Sequence, residues 1–244
     1  IHHIGRRYHS DGAAIYQFGP GDNHYHHNLI HDVFAYPHVN SMKGIYYDQQ
    51  TQNLIAEKNL IYNIEGVGLN QNWGIQNTYR NNIVAFTKGG ATRGRADKPE
   101  SAFNSLSLRR NVFVSDDGIG LGARWPRTQG EDHVVNNLFY DIHGKELSFW
   151  GQSLKEWQAS SGLGSGTVLA DPGFADAENL DFTLRSRNSA LRQIGFELFD
   201  HEIRKAGLYG DSEWTDLPDR LSSGIRATLP SWTRQELALL GANL

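Results

Sequence analysis

Asn81-Asn82-Ile83-Val84 belongs to a phrase that the chain uses repeatedly: a polar residue, an asparagine, then two apolar residues. The other copies are His27-Asn28-Leu29-Ile30, Lys58-Asn59-Leu60-Ile61, Arg110-Asn111-Val112-Phe113 and Asn136-Asn137-Leu138-Phe139. The asparagine in second place steps through 28, 59, 82, 111 and 137, at intervals of 31, 23, 29 and 26 residues. Apolar pieces precede four of the copies: Ala14-Ile15-Tyr16, Gly44-Ile45-Tyr46 and Gly66-Val67-Gly68-Leu69 before the first three, and Gly118-Ile119-Gly120-Leu121 before the last. Strand-sized apolar segments at this spacing, separated by polar turns, predict an all-β parallel solenoid whose coils pair strand on strand. The blades of a propeller, at about 40 to 50 residues, are too long for the intervals. A helical solenoid would need a 3.6-residue apolar period that these segments lack. The repeated asparagine is expected to occupy a tight corner, tolerating a left-handed backbone and bonding amide to amide along the stack.

The repeat fades after about Ile142, so residues 1–143 are expected to form the coils. Residues 144–244 would hold the last coils and a segment of the same domain that caps and braces the C-terminal end, the whole being part of a longer chain. Ser153-Leu154-Lys155-Glu156-Trp157 carries a Ser-x-x-Glu capping box and predicts a short helix. Thr233-Arg234-Gln235-Glu236 predicts another that ends near Gly241. Ala170-Asp171-Pro172-Gly173-Phe174 reads as a turn, and Leu180-Asp181-Phe182-Thr183-Leu184 as a further strand. The chain starts at Ile1 rather than methionine. That start predicts missing sequence upstream, which would carry any targeting signal. Such a segment, or a second copy of the chain, would cover the open N-terminal coil.

With 244 residues the chain can bury one large core. Its net charge of −4 argues against nucleic acid as a partner, and no apolar run is long enough for membrane insertion. The absence of cysteine excludes disulfides and thiol chemistry.

Stacked coils bring matching positions to about 4.8 Å from one another, so side chains distant in sequence line up. Asp11 precedes the strand around Ile15, and Asp48 ends the equivalent strand Gly44-Ile45-Tyr46-Tyr47-Asp48 of the next coil. A pair of carboxylates several ångströms apart is the equipment of a glycosidase. His31 beside Asp32 reads as an oriented imidazole, suited to acid, base or sugar contact. Asn70, Gln71 and Trp73 offer amides and an indole to a sugar, and Tyr47, Trp125 and Trp150 extend that platform. Arg80, Arg93 and Arg95 are candidates for an acidic sugar. Eight of the eleven histidines lie before residue 40. The His24-Tyr25-His26-His27 group has metal-ligand residue types, but its spacing matches no zinc signature, and neither metal nor cofactor is expected.

Ser10-Asp11-Gly12-Ala13-Ala14-Ile15-Tyr16-Gln17-Phe18-Gly19, Asn28-Leu29-Ile30-His31-Asp32-Val33 and Gly44-Ile45-Tyr46-Tyr47-Asp48 resemble bacterial right-handed parallel β-helix proteins of the pectin-lyase-like superfamily. The group they resemble is that around glycoside hydrolase family 141, with fucosidase and xylanase activities. Arg80-Asn81-Asn82-Ile83-Val84-Ala85-Phe86 and Ser189-Ala190-Leu191-Arg192-Gln193-Ile194-Gly195-Phe196 continue the likeness, which spans residues 1 to about 215. The resemblance implies a right-handed parallel β-helix with short C-terminal helices and a capping tail. It matches Asp11 and Asp48 to acidic positions on neighbouring coils, and His31 and Asp32 to a His-Asp corner. Gln49 stands where relatives carry an acid, and Asn70 and Asn72 where they carry histidines. The paired aspartates survive those departures, whereas a histidine-assisted variant loses its residues.

The expected function is hydrolysis of glycosidic bonds in a poly- or oligosaccharide, with Asp48, Asp11, His31 and Asp32 catalytic. Tyr47, Asn70, Gln71, Trp73, Arg80 and Trp150 would bind substrate. The alternatives are a lyase acting on an acidic glycan, with His31 as base, and a glycan-binding module without catalysis. A secreted or periplasmic location accompanies all three.

Overall fold

A computed structural model describes residues 1–6, 8–36, 42–95, 106–122, 134–184 and 186–199. The helix expected at Thr233, the platform residue Trp125 and the Arg95 side chain lie outside the described residues. The strands come in sets of three. The first set is β1 (His2–Ile4), β2 (Ala13–Gln17) and β3 (His24–His26), and the second β4 (Leu29–Val33), β5 (Met42–Tyr47) and β6 (Ile55–Glu57). The third is β7 (Leu60–Ile64), β8 (Gly66–Asn72) and β9 (Asn77–Arg80). The fourth is β10 (Ile83–Thr87), β11 (Thr92–Arg95) and β12 (Leu106–Arg109), and the fifth β13 (Val112–Ser115), β14 (Ile119–Leu121) and β15 (Val134–Val135). After β16 (Leu138–Asp141) and β17 (Ser148–Phe149) come α1 (Leu154–Ser161), β18 (Val168–Leu169), β19 (Phe174–Asp176), β20 (Asp181–Leu184) and α2 (Ser189–Ile194).

From β1 to β18 each strand pairs in parallel with a strand one set away, whereas β19 and β20 pair antiparallel with each other. Sheet A runs β1-β4-β7-β10-β13-β16-β18, sheet B β2-β5-β8-β11, and sheet C β3-β6-β9-β12-β15. The fold is thus mostly β, built on three parallel sheets that the chain visits in fixed order. Leu29, Leu60, Ile83, Val112 and Leu138 occupy one register position of sheet A, which is the repeated phrase made physical.

The corner from sheet C to sheet A explains the repeated asparagine. Nδ2 of Asn28, Asn59, Asn82 and Asn111 each donates to Oδ1 of the next asparagine, at 2.9, 2.9, 3.0 and 3.0 Å. The backbone N–H of each donates to that same oxygen, and Nδ2 of Asn59, Asn82 and Asn111 also donates to a sheet C carbonyl. Buried polar groups need such partners, because an unmet one costs about 1–3 kcal/mol. The left-handed backbone belongs to the preceding residue instead: His27, Lys58, Asn81, Arg110 and Asn136 have φ between 53° and 56°. The ladder asparagine is therefore a bonding residue, and its neighbour makes the turn.

Stacked aromatics fill the space between the sheets. Tyr47 lies 4.6 Å from Tyr79, and a row of Phe113, Phe139, Phe149 and Trp157 leads to α1. The capping box of α1 is complete, with Ser153 and Glu156 bonding reciprocally, and its buried Trp157 closes that row. The expected brace does not confine itself to the C-terminal end. Phe182 and Leu184 of β20, with Ala190, Leu191 and Ile194 of α2, pack on the outer side of sheet A against Ile83, Ala85, Val112, Val114 and Leu138. Asn188 caps α2, and Glu197 beyond it exchanges two bonds with Asn81. The outer side of sheet A is thereby an interior surface.

Candidate active site on the outer face of sheet B

Side chains alternate across a strand. Ile45, Tyr47 and Leu69 belong to the interior cluster, so Tyr46, Asp48, Asn70 and Asn72 face outward. Met42 also faces the interior, and a Cβ at Gly44 would stand 2.6 Å from both Ile61 Cγ2 and the Gly68 carbonyl. Lys43, held between them, points outward. The glycine that opens Gly44–Asp48 is thus needed for close approach of neighbouring strands. Register then sets Tyr16, Tyr46, Asn70 and Arg93 in one outward column.

Asp48 is 8% exposed, and a neutral group serves each of its carboxylate oxygens. The Tyr16 hydroxyl donates to Oδ2, and Asn72 Nδ2 donates to Oδ1 at 2.7 Å. The Asp48 N–H donates to the Gln17 carbonyl at 2.8 Å, which anchors the residue to the neighbouring strand. Among the described residues no cation contacts its carboxylate. The bond to Asp48, with burial and the charges of Asp48 and Asp11, pushes the Tyr16 phenol up to about 12. Burial, followed by the same two charges, raises Tyr46 as well. Both aspartates therefore act on one pair of phenols, whose rings meet edge to face at 5.0 Å.

Asp11 has positive φ and a side chain 75% exposed, and its Oδ1 accepts from the fully buried Lys43. The Lys43 ammonium also sits 4.4 Å above the Tyr46 ring. Burial pulls its pKa down, opposed by the bond to Asp11. Arg93 completes the face by donating to Asn70 Oδ1 at 2.9 Å.

The remaining expected residues are dispersed. His31 and Asp32 lie on sheet A and bond to each other at 2.8 Å. The His31 ring stacks between His2 and Tyr62 at 5.0 Å on either side. Burial lowers its pKa, and the groups acting on it are Asp32, His2 and the amino terminus. The expected cluster of four is therefore a pair on sheet B and a separate pair on sheet A, because each change of sheet turns the outward direction. Tyr47 is fully buried against Tyr79, and Gln71 is a buried corner residue that accepts from Asn77 at 2.9 Å. Neither can meet a ligand on this face. Trp73 occupies the turn after β8, where its carbonyl accepts from Gln50. Trp150 packs against the interior cluster after β17. Arg80 is on sheet C, where it and His24 both pair with Glu57. Burial works to raise Glu57, and these two partners hold its carboxyl below the usual range.

Sequence reasoning passed over Lys43, Tyr46, Tyr16 and Phe18. Tyr16, whose hydroxyl bonds Asp48, and Phe18, two residues on, are 48% and 58% exposed. The alternation Tyr16-Gln17-Phe18 was the available signal. Among the described residues no group of three or more His, Asp or Glu is disposed to hold a metal ion. No protein-family model matches the chain, and neither do curated proteins nor solved structures.

Proposed function

We propose that the chain is a right-handed parallel β-helix enzyme, akin to the group around glycoside hydrolase family 141, that hydrolyses glycosidic bonds with Asp48 and Asp11. The β-helix reading draws on three parallel sheets visited in constant order and on an asparagine ladder that marks each return to sheet A. The catalytic reading rests on one observation: Asp48 is held at both oxygens by neutral donors, on an outer face that also carries Asp11. Such donors fix the orientation of the carboxylate, and no described cation pairs with it. Asp48 then attacks the anomeric carbon or activates water, while the accessible Asp11 delivers a proton to the departing oxygen. The exposed rings of Tyr16 and Phe18 replace Tyr47, Trp73 and Trp150 as the sugar platform.

Asp48→Asn preserves shape and the backbone anchor. It is expected to lower turnover of a glycan panel by about 10³-fold with an unchanged unfolding midpoint. Retention of turnover overturns the assignment. A lyase acting on an acidic glycan is the second reading, supported by Arg93 and Lys43 on this face. It lacks His31, which faces outward from sheet A. Ultraviolet absorbance of an unsaturated product would select it over hydrolysis.

A further inference from the structure

Histidine is concentrated in the first coil. β1 carries His2 and His3, while His24, His26 and His27 lie on β3 and just after it. His2 and His3 face each other through their Nδ1 atoms at 2.5 Å, and so do His26 and His27 at 2.7 Å. Such a bond holds while one nitrogen is protonated and the other is bare. When both rings are imidazolium, two N–H groups confront each other and attraction becomes repulsion.

The neighbouring carboxylates are already engaged. Around the His2–His3 pair lie His31 and Asp32 of β4, Tyr62 of β7 and the Ile1 amino group. Asp32 bonds His31 and accepts from Asn63, and it stands 4.0 Å from His3. Around the His26–His27 pair lie His24 of β3, Glu57 of β6, Arg80 of β9 and the corner residue Lys58. His24 and Arg80 both pair with Glu57. Burial holds His2 and His31 below the ordinary histidine value of 6.5. The unfolded chain therefore takes up protons that the folded coil resists, and stability present above about pH 6.5 is lost as pH falls below it.

Among the described residues this coil has a neighbour on one side only, since β1, β2 and β3 each end their sheets. β1 and β3 are three residues long. An end repeat lacks half of the stacking that holds an inner one, so small changes suffice to open it. Between these strands, β2 supplies the Tyr16 hydroxyl and the Gln17 carbonyl that hold Asp48. We propose that the first coil is a pH-sensitive device: protonation of its paired histidines loosens β1 and β3, and β2 with them, releasing Asp48 from Tyr16 and Gln17. The inference rests on the reading of sheet B as the active face and names the regulation of that site.

Hydrogen exchange, corrected for the intrinsic pH dependence of amide exchange, is measured at pH 7.5 and 5.5 on the wild type and on the double variant His2→Gln, His26→Gln. Both positions are exposed and lie outside the proposed site. In the wild type, protection of β1, β2 and β3 is expected to fall about ten-fold at the lower pH, while that of β10 and β13 holds. In the double variant neither pair can become doubly charged. The fall is then expected to shrink to less than about three-fold, with His31 supplying the remainder. A uniform loss across all coils, an unchanged first coil in the wild type, or a full pH response in the double variant overturns the proposal. If the double variant fails to fold, the wild-type contrast between the first coil and the inner coils decides alone. Turnover undiminished at pH 5.5 while β2 loses protection overturns the link to Asp48. Should protection behave as expected while no glycan is turned over at either pH, the device stands and the hydrolase reading falls.

Discussion

The outer sides of sheets A and B are built from neighbouring strands of the same sets, yet they do opposite work. Sheet A presents Ile83, Ala85, Val112, Val114 and Leu138, which β20 and α2 cover with Phe182, Leu184, Leu191 and Ile194. Sheet B presents Tyr16, Tyr46, Asp48, Asn70, Asn72 and Arg93, joined by hydrogen bonds between side chains. Parallel pairing treats the two alike, since register brings equivalent positions together on both. The difference lies in what each column repeats. Apolar columns recruit a covering segment, because burying their area is the main favourable term. Polar columns satisfy one another through side-chain hydrogen bonds. A scaffold of this kind separates a covered apolar side from a polar side that carries the candidate site, and that separation can be attacked from either direction.

The largest effect is expected from Phe182→Ala, which opens the covered side. Phe182 is 4% exposed and touches Tyr62, Phe86 and Phe174. Its truncation should cost about 3 kcal/mol in denaturant unfolding, while glycan turnover per folded molecule stays at the wild-type value. A turnover that moves with stability would show the two sides to be coupled.

Tyr16→Phe probes the polar side. It removes one of the two donors to Asp48 and is expected to lower kcat about ten-fold, with a smaller change in KM. The same variant reports through pH. The Tyr16 phenol rises from 10.0 to about 12 on folding, so the folded state holds that proton more tightly than the unfolded chain. Its contribution to stability is complete below pH 10 and is lost as pH climbs towards 12. Unfolding midpoints across that window should therefore fall further in the wild type than in Tyr16→Phe.

His31→Ala sharpens the comparison by its near-silence. Because the imidazole belongs to the sheet A side, turnover should change by less than about two-fold. A loss approaching that of Asp48→Asn would reunite His31 with the proposed catalytic face and defeat the division.

Much of the fold was legible because its rules are local and recur. The phrase around Asn28, Asn59, Asn82, Asn111 and Asn137 announces equivalent corners, and Ser153 with Glu156 announces α1. The direction of the asparagine bonds was legible too, whereas the left-handed residue was displaced by one. Either neighbour at a tight corner can take that conformation, and only the ladder's demand on the asparagine N–H and amide assigns it to His27, Lys58, Asn81, Arg110 and Asn136. The site was half legible. Asp11, Asp48 and Asn70 were chosen as acids or amides beside strands, and they do share a face. Tyr47 and Gln71 were chosen by the same argument and point inward, one residue out of phase with Tyr46 and Asn70. A strand that is buried along its whole length, as β5 is, carries no alternation from which to read its phase.

The sequence by itself determined the period, the parallel pairing and the chemistry available at each position, since these follow from residue types recurring at short range. The tertiary structure alone decided which side carries the candidate site. Burial of Lys43 under an exposed Asp11 depends on Gly44 meeting Gly68 and Ile61 on the next strands. Covering of sheet A depends on a segment about a hundred residues away in the chain, in which Phe182 reaches Tyr62 and Glu197 reaches Asn81. Contacts at that separation arise from packing geometry, and no local pattern encodes them.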